Sequence, residues 1–508
     1  MPYYYDHQRP LSSQTSLEPP ENEDPLLELI QIEAEVAKLS ATLNALTLRS
    51  HALKVRANEI HSPFIRLLPP EIITEIFQFL IPPFTDSESD TAVPLRLGSV
   101  CSFWRTVAWA NPSLWSSLSI RLNDPTINTQ ITLLRQWLCR SGDLPLSIRL
   151  VSEDEIQWGA RFTPATAIQI VNEYSARWRN LDLRLPTSCY KYLPPSDASL
   201  PLLTSLTLNP MGGQGERRHK LDMSTSARIH NLTLSCVYLV SVKFQWDQVM
   251  HLYLQAFYVD ECLEVLRQTP QLVSCALVNI IGGDDGHALP NSPVLLSSLK
   301  TLIIENKKDT NISLLLDTIS MPNATHLSYS GKNLIHLPYI CGLISRSTSL
   351  QTFSLLETVV SNEIIFIHLL RALKSVTKFV FTVPCTHAGP TPFGDTILRL
   401  CNPTLSPTYG NDCLLPVLRE LEYSGPQGFT WSTFLETLVC RQSLWDEDDA
   451  FQTHPGAISD WRCVQISLAK GDKQGPDESV LARLLSLRAN GMKVGLKVVS
   501  TDQTRILL

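Results

Sequence analysis

Two glycine-rich segments of the sequence carry residue types that bind phosphate or a cation. Gly212–Gly215, with Arg217 and Arg218 close behind it, has the small residues and positive charges of a phosphate-binding loop. A phosphate loop continues with lysine and serine or threonine, and this one does not. Ile281–His287 offers carboxylates and a histidine, but the ligand spacing of a calcium loop is absent. Because glycine and aspartate are also common turn residues, we expect surface turns at both places.

A zinc site and an acidic surface are the other chemical candidates. Cys385 and His387, with Cys401 and Cys413, have zinc-binding side chains, but the gaps are wide and no Cys-x-x-Cys pair anchors them. Trp445–Asp449 is an acidic run, and such runs are usually solvated loops. The sequence therefore predicts no catalytic residue, no metal site and no cofactor, and we expect a protein that is not an enzyme.

Composition and charge indicate a folded protein with protein partners. The chain of 508 residues is 44% hydrophobic and 18% charged, with a net charge of −7. This balance gives no positive field for phosphate backbones, so nucleic acid is not expected as a partner. Neither a disulfide framework nor a membrane-spanning run is present. We expect a disordered tail at 1–25 and a cytoplasmic or nuclear location, with no membrane association.

A heptad pattern follows the tail, over residues 26–61. Apolar or small residues recur at two positions of the heptad, which predicts a helix with an apolar seam. One position holds Leu29, Val36, Leu43, Ser50 and Ala57, and the other holds Ile32, Leu39, Leu46, Leu53 and Ile60. Either the seam pairs two copies through residues 29–60, or the helix packs against its own chain. The small Ser50 and Ala57 leave both interpretations open.

Two further helices are predicted between residues 62 and 118. Pro69 and Pro70 favour a helix start, and the apolar residues that follow have helical spacing. These are Ile72, Ile73, Ile76, Phe77 and Leu80. A second amphipathic helix carries Leu97, Val100, Cys101, Trp104, Val107 and Ala108. Asn111-Pro112 stops it before a strand-like segment ending at Ile120.

A short phrase, apolar-x-x-apolar-x-apolar, repeats along residues 119–508. Its clearest copies are Leu203-Leu206-Leu208, Ile229-Leu232-Leu234, Val249-Leu252-Leu254, Leu272-Cys275-Leu277, Leu299-Leu302-Ile304, Leu350-Phe353-Leu355, Val376-Phe379-Phe381 and Leu418-Leu421-Tyr423. From Leu181 to Phe379 the centres recur every 20 to 27 residues, which is typical of leucine-rich repeats. Helical patterns such as Val259–Gln268 lie between copies. We therefore expect an α/β chain, an irregular strand-helix solenoid with insertions near 384–408 and 443–457.

The repeats lack one residue that leucine-rich repeats normally have. The asparagine or cysteine three positions after the last strand leucine usually bonds buried loop backbone. Met211, Val237, Phe257, Ile280 and Lys307 stand at that position here. Another group must therefore satisfy those amides.

The segment at 62–118 resembles an F-box. The resemblance rests on Leu68-Pro69-Pro70-Glu71 with Ile76-Phe77 and Leu80, then Val100-Cys101-x-x-Trp104-Arg105, Ala108, Pro112 and Leu114-Trp115. The fungal branch of that family is most similar, because it also places a heptad helix before the box and a phrase like Trp137-Leu-x-Arg-Ser-Gly142 after it. The stretch 81–94 is longer than the usual turn between box helices.

The resemblance implies a partner and a set of contact residues. F-box proteins dock on the Skp-type adaptor of a cullin-RING ubiquitin ligase. Carried over to this sequence, the adaptor-binding residues are Leu68, Pro69, Ile72, Ile76, Leu80, Val100 and Trp104. The implied function is a substrate-recognition subunit of that ligase. The alternative is an adaptor-free scaffold that binds partners with its heptad helix and repeats.

Strand geometry predicts where an unknown protein substrate would bind. In Leu-x-Leu the leucines point inward, so the residue between them faces the other side, which is concave in a leucine-rich repeat. This rule selects Asp182, Thr207, Thr233, Tyr253, Ala276, Ile303, Ser328, Ser354, Val380 and Glu422. We expect Tyr253 and Ile303 to be the anchors, with Asp182 and Glu422 as the charged members of the surface. A merely solvated face, with binding by inserted loops, is the alternative.

Overall fold

The structure is a computed structural model that describes most of the chain after the N-terminal segment. The described residues are 25–61, 67–84, 92–123, 126–152, 164–193, 200–210, 221–223, 227–283, 285–308, 310–332, 337–360, 362–384, 391–403, 413–442, 459–469, 476–499 and 504–506. They form two compact units. The box unit contains residues up to 81 together with 92–111, and the sheet unit contains 82–91 together with 112–508. Residues 1–24 of the predicted tail, the whole of 443–457 and the Gly212–Gly215 loop lie outside the described residues.

The box unit is helical. Its helices are α1 Pro25–His61, α2 Pro70–Gln78, α3 Val93–Val100 and α4 Ser102–Ala110. Pro69 precedes the first turn of α2 in extended conformation, and Pro70 occupies a position where a missing N–H costs nothing. Asn111 is extended and ends α4 before Pro112, as the sequence predicts.

The heptad segment forms the long helix α1. Its side chains from Leu26 to Ala57 are all exposed, the apolar ones included. The large apolar residues of the seam, from Leu29 to Ile60, are between 47% and 67% exposed. Within the described part of the chain, the apolar seam of α1 is therefore not buried by other residues.

The sheet unit is built on strands that follow one another in chain order. The strands are β1 Ser117–Leu122, β2 Leu146–Ser152, β3 Trp178–Arg184, β4 Ser205–Leu208, β5 Leu221–Asp222, β6 Asn231–Ser235, β7 Val242–Lys243, β8 His251–Gln255, β9 Ser274–Val278, β10 Val294–Leu295, β11 Thr301–Asn306, β12 Ile319–Ser320, β13 His326–Gly331, β14 Thr352–Leu356, β15 Lys378–Thr382, β16 Glu420–Gly425, β17 Cys463–Ala469, β18 Lys493–Val499 and β19 Thr504–Ile506. Fifteen of them form one sheet, and two two-residue pairs, β5 with β7 and β10 with β12, stand apart.

The large sheet is parallel from β1 to β18, and only β19 pairs antiparallel. Helices connect many neighbouring strands: α5 Ile127–Arg140, α6 Ala165–Asn172, α7 Val259–Gln268, α8 Ser313–Thr318, α9 Leu337–Ser345, α10 Glu363–Ala372, α11 Asp395–Cys401, α12 Trp431–Gln442 and α13 Glu478–Ala489. Parallel neighbours require such crossover connections. The expectation of a mixed α/β chain with a long parallel sheet and a helical box is confirmed.

The repeated apolar residues form the core of the sheet unit. Both outer residues of each Leu-x-Leu phrase are buried, from Leu181 and Leu183 to Leu421 and Tyr423. Aromatic residues continue this core towards the C-terminus, where Phe353 and Phe379 stack with ring centroids 6.1 Å apart. Each buried side chain of this size contributes roughly 1.5 to 3 kcal/mol, so the repeated phrase is a substantial part of the apolar stabilisation.

The phrase Trp137-Leu-x-Arg-Ser-Gly142 has a structural explanation at the end of α5. Trp137 packs edge-on against Trp115, with ring centroids 4.7 Å apart. The Arg140 guanidinium lies 4.8 Å from the centre of the Trp115 ring. Gly142 then adopts φ +55°, a left-handed conformation that ends helices and favours glycine. The phrase therefore builds the first corner of the sheet unit.

Residues in left-handed conformation follow three of the strands, one position before the place where leucine-rich repeats normally have asparagine or cysteine. Cys236, Ala256 and Asn279 directly follow β6, β8 and β9, and each has a positive φ. Their N–H groups donate to Gln255 O, Val278 O and Glu305 O at 2.7 to 3.0 Å. The hydrogen-bond ladder thus continues one residue beyond each of these three strands and satisfies those three N–H groups without a side chain.

One predicted insertion contains a regular element. Helix α11 falls within 384–408, and its Ile397, Leu398 and Cys401 are buried. This helix connects β15 to β16. The spacing between successive strand centres is longer here because further residues flank the helix.

Among the described helices, none has the length and apolar character needed to cross a membrane.

Candidate functional site

The apolar residues of α2 and of the turn after it differ in exposure. Ile73 and Phe77 are completely buried and form the core of the box unit. Ile72 and Ile76 lie beside them on the helix, Leu80 lies in the turn after it, and all three are exposed; we call these three residues the exposed stripe. The core of the box unit therefore covers only part of this apolar surface, and the exposed stripe is in excess of what folding uses.

The seven residues carried over from the family resemblance lie in or beside this exposed stripe. Pro69, Ile72, Ile76, Leu80 and Val100 are exposed, whereas Leu68 and Trp104 are half-buried. Phe79 was missed by the sequence reasoning, although it is 89% exposed and follows Ile76 by three positions. Phe79 follows Ile72 by seven positions and Ile76 by three, and this helical spacing could have placed it with them.

Trp104 connects the exposed stripe to the core. Its ring centroid lies 5.0 Å from that of Phe77, and its backbone N–H donates to Cys101 Sγ at 3.4 Å. Cys101 is therefore the cap of α4, which explains the spacing Cys-x-x-Trp. Arg105 Nε donates to Gly98 O at 2.8 Å and ties α4 to α3. These contacts hold the two short helices against α2.

A second candidate surface runs across the sheet, along the residues between paired leucines. Each of these residues is the register partner of the next, which places them in a single line. We call this line the row; it consists of Asp182, Thr207, Thr233, Tyr253, Ala276, Ile303, Ser328, Ser354, Val380 and Glu422. All except Asp182 are partly exposed.

Asp182 does not offer its charge to a partner. It is only 4% exposed, and its carboxylate accepts a bond of 2.7 Å from Arg149 and one of 3.2 Å from Arg184. Arg149 also donates to Phe84 O at 2.8 Å. A buried carboxylate needs such partners because desolvation is costly. The prediction of Asp182 as a binding residue is corrected: this end of the row is an internal ion-pair cluster.

Glu422, at the other end, keeps part of its surface. Its carboxylate accepts a bond of 2.6 Å from Lys378 Nζ, and this bond is the main reason that the pKa of Lys378 is raised. Glu420 is a second acidic neighbour of Lys378, at 3.4 Å. The pair is partly solvated, so it remains available to a polar partner.

The middle of the row is apolar. Tyr253, Ala276 and Ile303 are consecutive register partners on β8, β9 and β11. Adjacent strands lie about 4.8 Å apart, so the two large side chains flank the small alanine at roughly 10 Å from each other. The Tyr253 hydroxyl donates to Gln255 Oε1 at 3.3 Å. Burial, with the nearby Glu305 charge, raises the pKa of Tyr253, so the phenol stays neutral.

The Ile281–His287 segment forms a cluster with the start of α7. Glu261, Asp285 and His287 bring potential ligand atoms within 4.8 Å of one another. Both Glu261 oxygens already accept backbone bonds, from Leu239 N at 2.7 Å and Tyr258 N at 3.0 Å. Asp260 Oδ2 accepts from the backbone N–H groups of Asp285 and His287, each at 2.8 Å. These carboxylates therefore fix loops, as the turn interpretation predicts.

Cys401 and Cys413 surround a buried arginine. Arg441 is fully buried and donates to Cys401 O, Pro416 O, Ser459 O, Leu414 O, Leu415 O and Cys413 Sγ. Burial raises the pKa of Cys401 to about 12 and also raises that of Cys413. In the absence of a metal these thiols stay protonated. Cys385 and His387, like Trp445–Asp449, lie outside the described residues.

Comparison with known families identifies one segment of the chain. Residues 65–121 match the family model described as F-box-like. The match begins just before the exposed stripe, covers helices α2 to α4 and ends within β1. No curated protein matches the chain. Residues 65–121 are therefore an F-box-like domain. For the rest of the chain, function has to be inferred from the architecture.

Proposed function

We propose that the protein is a substrate-recognition subunit of a cullin-RING ubiquitin ligase, in which residues 65–121 dock a Skp-type adaptor and the sheet unit binds a protein substrate. The observation that carries the proposal is the exposed apolar stripe of α2 within a segment that matches the F-box-like model. F-box domains bind Skp-type adaptors, so such an adaptor would cover the exposed stripe. We also propose a cytoplasmic or nuclear location, where these ligases act.

The adaptor contact involves the side of α2 that the box core does not use. Ile76 lies in the last turn of α2 and Leu80 in the turn that follows the helix, and both are exposed. Val100 adds a second exposed aliphatic side chain at the end of α3. Covering each of these side chains contributes roughly 1.5 to 3 kcal/mol. Phe79 is included in the proposed contact because of its exposure.

The substrate contact is assigned to the apolar middle of the row. An irregular leucine-rich repeat is supported by the parallel strands, the buried Leu-x-Leu residues and their spacing. Tyr253 and Ile303 supply anchors, and the small residues beside them leave room for a partner's side chains. Glu422 adds a polar contact at the edge. The chain itself performs no chemistry, because ubiquitin transfer belongs to other subunits of the ligase.

The decisive experiment measures adaptor binding by a double variant of the exposed stripe. Ile76→Asp with Leu80→Asp removes two apolar contacts and adds two charges, which should weaken binding about 100-fold or more. The control is Leu314→Asp with Leu485→Asp, which makes the same change at two exposed helix leucines of the sheet unit. Titration of the purified full chain with a Skp-type adaptor gives the affinities. Failure of the unaltered, folded chain to bind any such adaptor would overturn the proposal.

A second candidate function is an adaptor-free scaffold. The exposure of the whole apolar seam of α1 favours it, because an F-box domain and a repeat domain need no such helix. The two functions separate cleanly, since a scaffold would keep its partners in the variant with Ile76→Asp and Leu80→Asp.

A further inference from the structure

The exposed seam of α1 has a charge pattern that selects its occupant. The helix is uninterrupted from Pro25 to His61, about 55 Å at 1.5 Å per residue. Its seam contains eight large aliphatic residues, all exposed. We propose that α1 pairs with α1 of a second copy of this chain, and that the two helices run antiparallel.

Charge is segregated along the helix beside the seam. In heptad notation, with Leu29 at a and Ile32 at d, the flanking e and g positions contact the partner helix. The N-terminal half places Glu28, Glu33 and Glu35 there. The C-terminal half places Arg49, Lys54 and Arg56 there. The described side chains at these positions are exposed and face solvent in the single chain.

Parallel pairing would join like charges. In a parallel dimer each g residue meets the e residue five positions later in the second copy. Glu28 would then face Glu33 of the second copy, and Arg49 would face Lys54 of the second copy. Both contacts are repulsive and occur twice by symmetry. The central heptad offers only neutral Ser40, Thr42 and Thr47 to offset them.

Antiparallel pairing joins opposite charges. In this arrangement e meets e and g meets g of the other helix. When the full length of the seam is paired, Glu33 faces Lys54 of the second copy and Glu35 faces Arg56 of the second copy. Each attraction also occurs twice. Such pairs contribute little affinity individually, but they decide orientation.

The packing of the seam residues also favours the antiparallel arrangement. A parallel register would place Ser50 against Ser50 and Ala57 against Ala57, two layers without a large side chain. The antiparallel register instead forms the layers Leu29–Ile60, Ile32–Ala57, Val36–Leu53, Leu39–Ser50 and Leu43–Leu46, one residue from each copy. Every layer then contains a large apolar side chain, and the two small residues lie opposite large ones, as close packing requires.

Sedimentation equilibrium of the full chain tests the proposal through the sign of a charge change. Glu33→Lys with Glu35→Lys should weaken an antiparallel dimer roughly 50-fold, because four attractions become four repulsions. The same change would strengthen a parallel dimer, since Glu28 would meet a lysine. Adding Lys54→Glu and Arg56→Glu to that variant should restore dimerisation. Lysines at the outward positions Ala34, Ala37, Ala41 and Ala45 are the matched control and should have little effect.

Mixing gives an independent check of orientation. The variant with Glu33→Lys and Glu35→Lys should form a heterodimer with the variant that carries Lys54→Glu and Arg56→Glu, because a basic helix then meets an acidic one. Leu39→Asp with Leu43→Asp should leave the chain monomeric. A monomeric unaltered chain at high micromolar concentration, a larger oligomer, or tighter pairing of the first variant would each overturn the proposal. Adaptor binding is scored separately, so neither result depends on the proposed ligase function.

Discussion

The box unit and the sheet unit use their apolar residues in opposite ways. In the box unit, α2 and the turn after it bury two apolar residues and expose Ile72, Ile76, Phe79 and Leu80. In the sheet unit, the repeated leucines of the strands are buried, and the row between them is mixed in character. Apolar residues beyond those needed by a core indicate a partner, whereas apolar residues fully used by a core indicate only a fold. The exposed apolar residues of the box unit therefore indicate a binding role, whereas the row of the sheet unit does not identify a substrate.

The largest expected effect is on the stability of the sheet unit, through Arg441. Arg441→Met removes the donors for several carbonyl oxygens that line its buried site, so unfolding should become easier by roughly 3 to 5 kcal/mol. Chemical denaturation followed by circular dichroism measures the change. Arg419→Met, at an exposed arginine nearby, is the control and should be near neutral. An unchanged midpoint for Arg441→Met would contradict the role given to this side chain.

Adaptor affinity sharpens the same comparison. If the two units are independent, the destabilised chain should still bind the adaptor with unchanged affinity at low denaturant. Loss of adaptor binding together with the sheet unit would instead indicate that the units fold cooperatively.

The next effect concerns the middle of the row. Tyr253→Asp with Ile303→Asp should reduce substrate capture about 100-fold, because two anchors of roughly 2 kcal/mol or less each are replaced by charges. Quantitative affinity purification compares this variant with Leu295→Asp, an exposed leucine outside the row. Adaptor binding should remain unchanged. Identical partner sets in both variants would assign recognition to the inserted loops or the C-terminal segment.

A smaller effect is expected inside the box unit, at Gly98. A Cβ here would overlap the Trp109 ring, so Gly98→Ala should destabilise this unit by roughly 1 to 3 kcal/mol. Hydrogen exchange of α3 and α4 reports it locally. Trp109→Val combined with Gly98→Ala should recover part of the loss, because the overlap disappears. Equal losses in the single and double variants would contradict a steric cause.

The smallest effect is a gain in stability at a strand end. Ala256 has φ +59°, a left-handed conformation that is unfavourable for alanine. Ala256→Gly should stabilise the sheet unit by about 0.5 to 1 kcal/mol. Ala276→Gly, in the extended strand β9, should have the opposite sign because it only adds flexibility to the unfolded chain. Thermal unfolding compares the two, and equal signs would contradict the backbone argument.

Local periodicity was sufficient to predict much of the fold. The alternation of apolar and other residues along a strand predicts which strand residues are buried. The spacing of apolar residues that is typical of a helix located α7 at Val259–Gln268. The ion pair of Arg149 with Asp182 was not predictable in this way. Their sequence separation is 33 residues, and the contact exists only because β2 and β3 pair in a particular register.

The candidate site was predictable in part for similar reasons. Helical spacing selected Ile72, Ile76 and Leu80, because the pattern is contained in one helix. Phe79 was passed over since exposure depends on what the rest of the unit covers, which one helix does not reveal. Arg441 gave no sequence signal, because its carbonyl partners come from segments far along the chain.

The constant register of the row has an evolutionary consequence. Each row residue except Asp182 stands between two buried residues, yet its own side chain lies outside the core, so most replacements there leave the packing intact. Mutation can therefore vary nine partly exposed positions, from Thr207 to Glu422, while the leucines preserve the scaffold. A lineage could acquire a new binding specificity by single substitutions in the row, without passing through unfolded intermediates.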